Sequence, residues 1–391
     1  MYVQSFINVF AVFVVVGNEA ADADSIVSAI CLAFLRHKKC SSIDPAKDTR
    51  FIPIAHVSRS LLHLRRDIHV LLLAVGLAPS DIICIDDINI SSIYANNTSK
   101  TILVDQNTVP PGLREFSTTI DEIIDHHSDL NQCPWVMGDK RVIAFDFTTA
   151  KPLVGSSCTL VAEEFRGSEW MTPEIAHLLL GVISLDTFNM DAVINKGTPR
   201  DATAMEWLHV LAGVDKDKLF ASLRDSKLDP LFWNEISSLE SFQLDYKLFL
   251  SIKGIKIGVS SVLLSSNDII KKQDFLTSCK IFLEYTDVDV FVIMAFRFSP
   301  EPMREILCAS RSLEMLNAFE FHLTGSVCAE ARITPFRTTS PRSETEECMS
   351  PQDKPNYCLD YPDIHWRRYD QGNIAYSRKQ MAGYFIAFSI S

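Results

Sequence analysis

The first half of the chain repeats one pattern. A short β-branched or aromatic run ends in a polar residue, and an amphipathic stretch follows. The runs fall at residues 9–16 ("VFAVFVVV"), 50–57 ("RFIPIAHV"), 82–85 ("IICI"), 101–104 ("TILV"), 122–124 ("EII") and 141–145 ("RVIAF"). They are apolar at nearly every position, as strands buried on both faces must be. Between them, residues 24–37 and 58–76 carry helical periodicity, with Ile26, Ile30, Ala33 and Phe34 on one face of the first. Three more helices are expected between 156 and 212. Strands alternating with helices give a parallel sheet covered on both faces.

Beyond about residue 216 the pattern changes to longer alternating runs, such as "KIGVSSVLL" and "DVFVIMAF". This predicts a second, smaller domain with a mixed sheet. The expected division is residues 1–212 and 217–391, as suits a chain of 391 residues. Residues 324–358, rich in Ser, Thr, Pro and charge, read as a mobile surface insertion.

The apolar start "MYVQSFINVFAVFVVV" has no basic leader and no small-residue cleavage pattern. It is too short to span a bilayer, so a buried strand ending at Gly17 explains it better. A net charge of −12 argues against a general nucleic-acid binder, because neutralising phosphates needs a basic face. It leaves room for a local cationic pocket. The ten cysteines contain no C-x-x-C and read as reduced, mostly buried thiols of a cytoplasmic protein that neither enters a membrane nor binds nucleic acid.

The chemistry is written where the runs end. The first runs into "GNEAADADS", offering Asn18, Asp22 and Asp24, with Ser25 placed to cap the next helix. "TILV" is followed by Asp105, "EII" by Asp125, His126 and His127, and a long apolar helix ends at "ISLDTFN" with Asp186. Ligands of open parallel sheets bind beyond the carboxyl ends of the strands. Several carboxylates gathered there repel one another unless cations hold them. Carboxylates with an imidazole and an amide suit Mg²⁺, Mn²⁺ or Co²⁺ better than structural zinc. Asp22 and Asp24, one residue apart, reach neighbouring positions without chelating one ion together. That fits two ions ~3.5–4 Å apart with other carboxylates bridging.

"GNEAADADS", "VDQN", "DHH" and "LDTFN" appear in the order of the four motifs of the DHH phosphoesterase family, which the chain resembles over nearly its whole length. Within that family it resembles the branch of family II inorganic pyrophosphatases, prune-type phosphodiesterases and eukaryotic exopolyphosphatases. "VGSSCTLVAE" (154–163), "TPRD" (198–201) and "SRKQ" (377–380) look like the same branch. The resemblance implies an N-terminal parallel-sheet DHH domain and a C-terminal DHH-associated domain. It implies Asn18, Asp22, Asp24, Asp105, His126 and Asp186 as ligands of two or more divalent ions, with Asp105 and Asp186 bridging. His127 would contact substrate phosphate, and Asp125 would orient an imidazole. Lys227, Arg378 and Lys379 match phosphate-binding positions of the family.

Two departures stand out. Asn18 occupies a position where pyrophosphatases of this branch carry histidine and exopolyphosphatases carry asparagine. Gln106 replaces the histidine of the usual "VDHN". The expected activity is therefore that of an exopolyphosphatase: water activated between the ions attacks the terminal phosphorus of inorganic polyphosphate. The alternatives are an inorganic pyrophosphatase, or a prune-like nucleotide phosphodiesterase or interaction protein.

Overall fold

The structure is a computed structural model that describes residues 11–45, 48–95, 98–297, 301–336, 358–361 and 363–389. The chain divides into two compact units between Lys227 and Leu228.

The first unit opens with β1 (Ala11–Val16), α1 (Ala23–Ile43), β2 (Thr49–Ile54), α2 (Arg66–Ala74), α3 (Ile90–Tyr94), β3 (Lys100–Val104), β4 (Ile120–Asp125) and β5 (Arg141–Ile143). A small hairpin of β6 (Phe145–Asp146) and β7 (Lys151–Pro152) follows, then α4 (Ser157–Glu164), α5 (Pro173–Asp186), α6 (Pro199–Ala212) and α7 (Lys216–Leu228). The sheet runs β2-β1-β3-β4-β5 and every pairing is parallel.

Side chains alternate across the sheet, and both faces are covered. Val15, Ile102, Val104 and Ile124 pack with Ile26, Leu32 and Leu35 of α1 and with α4 and α5. Val14, Val16, Leu103 and Ile123 pack on the other face with Tyr94, Leu113 and Val136. Each such side chain contributes roughly 1.5–3 kcal/mol relative to leaving it in water, which is why the strands read as unbroken apolar runs. At the end of β1 the backbone turns directly onto α1. A Cβ on Gly17 would lie 2.6 Å from Ser25 Cβ and 2.7 Å from the Ser25 carbonyl oxygen, so only glycine fits.

The second unit holds α8 (Pro230–Glu235), α9 (Ser238–Leu244), β8 (Tyr246–Leu250), β9 (Lys256–Val262), α10 (Ser266–Ile270), α11 (Phe275–Thr286), β10 (Val290–Arg297) and β11 (Met303–Ser310). It continues with α12 (Leu313–Thr324), β12 (Ile333–Pro335), β13 (Cys358–Tyr361), β14 (Ile364–Gln371) and α13 (Arg378–Ala387). Its sheet runs β12-β14-β11-β10-β9-β8, with β13 also on β14. It is mixed, because β9 and β10 are parallel and the remaining pairs antiparallel. One face packs Val259, Val292, Ile306 and Cys308 on Phe319, Met381 and Phe385. Another core is aromatic, with Phe242 edge-on to Phe275, Phe282 and Phe291.

Several expectations are corrected. "IICI" is no strand: Cys84 makes only an isolated bridge with Ala55, because Asp86 and Asp87 at once turn aside to bind Arg59. The helix expected over 58–76 is a 3-10 turn, Arg59–Leu64, and then α2, broken at Arg65 where φ is −89° and ψ 66°. "RVIAF" is divided between β5 and β6. The unit boundary lies later than the expected 212–217, since Leu223 of α7 is buried in the core of the first unit. Within the expected insertion, residues 326–335 form a 3-10 turn and β12, which extends the sheet through β14. Residues 337–357 of it lie outside the described residues, as do residues 9 and 10 of the first expected strand.

Candidate metal centre

Parallel register sets the site. Val16 pairs with Leu103, and Val104 pairs with Ile124, so β1, β3 and β4 end nearly level. The next residues are Asn18, Asp105 and the Asp125–His127 turn. Asp22 is the N-cap of α1 and accepts the Ser25 amide at 3.1 Å. Ser25 is therefore not the cap; its hydroxyl donates to Asp105 Oδ2 at 2.7 Å instead.

Asp105 is 3% exposed and stands in the left-handed region, φ 54°, which Asp tolerates better than most side chains. The Asn18 amide donates to its carbonyl at 3.2 Å and to Oδ2 at 2.7 Å, while Asn18 Oδ1 accepts from the Ala20 amide. Asn18 thus turns its nitrogen toward Asp105. Oδ1 of Asp105 faces His126 Nε2 at 3.4 Å and His127 Nδ1 at 3.7 Å.

His126 is buried, and its Nδ1 lies 2.9 Å from the Val154 carbonyl. A carbonyl can only accept, so Nδ1 carries a proton, and Nε2 faces Asp24 at 3.7 Å and Asp105 at 3.4 Å. A proton held on Nδ1 by a neighbour leaves Nε2 as the atom to meet a cation, as in known metal sites. Asp125 accepts His127 Nδ1 at 2.8 Å on Oδ1 and the Asn107 amide at 2.6 Å on Oδ2. Burial pushes the Asp125 carboxyl up, but the charge and hydrogen bond of His127 outweigh it and hold it below the usual range.

Asp24 is cradled by the start of α4. It accepts Ser156 Oγ at 2.6 Å and the amides of Ser157 and Cys158 at 2.8 and 3.0 Å. The turn that offers these donors is tied in turn by Asp201, which accepts the Gly155 amide and the Thr159 hydroxyl. Burial, then the charges of Asp105 and Asp186, push the Asp24 carboxyl well above the usual range. Asp186, the last residue of α5, is half-buried and near enough for its charge to act on Asp24.

Asp105, Asp125, His126 and His127 each offer a ligand atom within 4.8 Å of the others. Buried hard oxygens, mutually repelling, with an imidazole nitrogen aimed among them, fit a divalent cation. Gln106 takes no part as a donor to the acids. Its amide binds the Val16 and Gly17 carbonyls at 3.3 and 2.6 Å, so the departure from "VDHN" touches the end of β1.

Two of the expected phosphate contacts pair with acids of their own unit. Lys227 Nζ, in α7, lies 3.3 Å from Asp67 Oδ2. Arg378, in the second unit, donates to the carbonyl and carboxylate of Asp245 at 2.5 and 2.6 Å. Lys379 is exposed beside it in sequence. Ser25, Asn107, Ser156 and the amides of Ser157 and Cys158 escaped sequence reasoning as partners of the acids. They lie in the motifs "GNEAADADS", "VDQN" and "VGSSC", which gave them no such role.

Residues 12–183 match the DHH family, N-terminal domain, and residues 234–385 the DHHA2 domain. The chain is 31% identical to exopolyphosphatase PRUNE1 of Rattus norvegicus over 379 residues, 94% of this chain and 73% of the relative. It is 29% identical to exopolyphosphatase PRUNE1 of Homo sapiens over the same shares. The fold is similar to a Methanococcus jannaschii structure assigned to the family II inorganic pyrophosphatases, with a TM-score of 0.55 and 22% identity over 80% of this chain and 91% of that one. A parallel sheet that gathers its acids and histidines at one edge, followed by a mixed-sheet DHHA2 unit, places this chain in the DHH family.

Proposed function

We propose that the chain is an exopolyphosphatase that hydrolyses the terminal phosphoanhydride of inorganic polyphosphate. The observation that carries the proposal is the convergence of Asp24, Asp105 and the Asp125–His126–His127 turn at one sheet edge, in a chain whose relatives are named exopolyphosphatases. Asn18, Asp22, Asp24, Asp105, His126 and Asp186 would hold two or more divalent cations, Mg²⁺, Mn²⁺ or Co²⁺. When bound, such ions neutralise phosphoryl oxygens and acidify a coordinated water.

The remaining work falls to the protein. His126, held by the Val154 carbonyl, keeps Nε2 toward Asp24 and Asp105. His127, with Nδ1 on Asp125, turns its Nε2 to a phosphoryl oxygen. Lys227, Arg378 and Lys379 bind further phosphates, and the guanidinium offers a two-pronged fork for phosphate. Water oxygen bonds to the terminal phosphorus as the anhydride P–O bond breaks, releasing orthophosphate and a chain one unit shorter.

No helix among the described residues is long and apolar enough to cross a membrane. Free thiols at Cys31, Cys84, Cys158 and elsewhere support a reducing, cytoplasmic setting. The test is orthophosphate release from tripolyphosphate, pyrophosphate and a cyclic nucleotide in parallel, with Mg²⁺ and with Mn²⁺. Tripolyphosphate should be turned over fastest; a dominant pyrophosphate or cyclic-nucleotide rate would replace this reading.

A further inference from the structure

Asn18 and Asp22 stand at the two ends of the loop that joins β1 to α1, and Asp24 follows in the first turn of α1. Ala20 and Ala21 within the loop are buried, and Ala21 stands in the left-handed region at φ 46°, unusual for a residue with a Cβ. Inside the loop the Ala21 amide donates to the Asn18 carbonyl at 3.1 Å. Two side chains from other elements cover its carbonyls in successive pairs. Gln106 holds those of Val16 and Gly17. Arg65 holds those of Ala20 and Ala21, through Nη2 at 2.6 Å and Nε at 2.8 Å.

Arg65 is 5% exposed, and a guanidinium is costly to bury unless it is well bonded. The backbone also makes a concession at this residue. The 3-10 turn ends and α2 begins there, with φ −89° and ψ 66°, so helical structure is interrupted at the residue whose guanidinium reaches the loop. Asp67, two residues on, pairs with Lys227, so the same short segment touches both the acid-bearing loop and a proposed phosphate contact.

We infer that Arg65 is a positioning residue of the metal centre, whose fork on the Ala20 and Ala21 carbonyls sets the directions in which Asn18 and Asp22 present their side chains. The inference rests on the reading of the acid cluster as a cation site. Lysine cannot replace the fork, because an ammonium is a compact point charge without two coplanar donors.

The experiment is Mn²⁺ binding to the full chain by calorimetry, with melting temperature measured in chelator, for wild type, Arg65→Met and Arg65→Lys. Loss of a residue that orients metal ligands weakens metal affinity ~10–100-fold. Arg65→Met should therefore bind Mn²⁺ at least about tenfold more weakly, and Arg65→Lys should fall between it and wild type. At saturating Mn²⁺, kcat on tripolyphosphate should recover further than the affinity does. If Arg65→Met does not fold, Arg65→Lys decides, since it keeps the charge and loses the fork. A folded variant with wild-type Mn²⁺ affinity overturns the inference and leaves the cation site standing. A wild type that binds no Mn²⁺ overturns both.

Discussion

Asn18 Nδ2 lies 2.7 Å from Asp105 Oδ2, and the hydroxyl of Ser25 meets the same oxygen at 2.7 Å. Two donors, one from the loop after β1 and one from α1, therefore occupy one oxygen of the carboxylate that follows β3. Its other oxygen faces the imidazoles of the β4 turn. Asp105 is the residue through which three strand ends communicate, and it is the most informative position to change.

Asp105→Asn keeps the size of the side chain and its tolerance of positive φ, which Asp105→Ala would not. The amide oxygen can still accept from Asn18 and Ser25, and its nitrogen can donate toward His126 Nε2. The lost element is the charge that cations need. Activity on tripolyphosphate should fall at least about 10³-fold, as on removal of a catalytic electrostatic element. In chelator the variant should melt no lower than wild type, because Asp24 loses a neighbouring negative charge. Near wild-type turnover in saturating Mg²⁺ would remove Asp105 from the site.

Arg378→Ala separates two roles for one side chain. In the structure the guanidinium binds Asp245, and in the proposed function it also holds phosphate. A phosphate contact made in both ground and transition states raises KM and lowers kcat together. We expect KM for tripolyphosphate to rise on the order of tenfold or more, with Mn²⁺ affinity unchanged. A lowered melting temperature with wild-type kinetics would make Arg378 a strut for Asp245 alone.

The strands were legible where burial on both faces left no choice, as in β1, β3 and β4. "IICI" looked the same by composition but turns away after one bridge, because its neighbours Asp86 and Asp87 are committed to Arg59. The acids at the strand ends were legible because they are local to those ends. Their partners were not: Ser156 reaches Asp24 across 132 positions, and Asn107 reaches Asp125 only once β3 and β4 are paired. Ser25 misled because serine after an acid reads as a cap, whereas Asp22 supplies that bond and frees the hydroxyl for Asp105. The break at Arg65 is invisible to periodicity, since the residues on either side are both helical.

A pH effect on stability is expected at His56, two residues past β2. Among the described residues its Nδ1 is buried without a hydrogen-bond partner. Burial lowers the imidazole to about 4, against an ordinary value of 6.5. The unfolded chain takes up this proton near 6.5 and the folded chain only near 4. The neutral ring's contribution is thus complete above pH 6.5 and is lost as pH falls toward 4, on the order of 3 kcal/mol in all. Denaturant unfolding in chelator at pH 7.5 and 4.5 measures it. His56→Gln should shrink the difference between the two pH values; an unchanged difference would place the titration elsewhere.

The last prediction concerns Asn18, where the chain differs from the pyrophosphatases it resembles. Asn18→His would put an imidazole beside Asp105 in place of an amide whose oxygen is engaged by Ala20. Imidazole binds transition ions more strongly than an amide oxygen does, so Mn²⁺ and Co²⁺ affinity should rise. A more firmly held ion favours a short, highly charged substrate. In the proposed function a longer chain gains less from it, because more of its binding would come from cationic side chains such as Arg378 and Lys379. The ratio of kcat/KM for pyrophosphate to that for tripolyphosphate should therefore be below one in the wild type and several-fold higher in Asn18→His. A wild-type ratio well above one would make the protein a pyrophosphatase. An unchanged ratio in the variant, with unchanged Mn²⁺ affinity, would mean that Asn18 serves only to hold Asp105 by its nitrogen and takes no part in choosing the substrate.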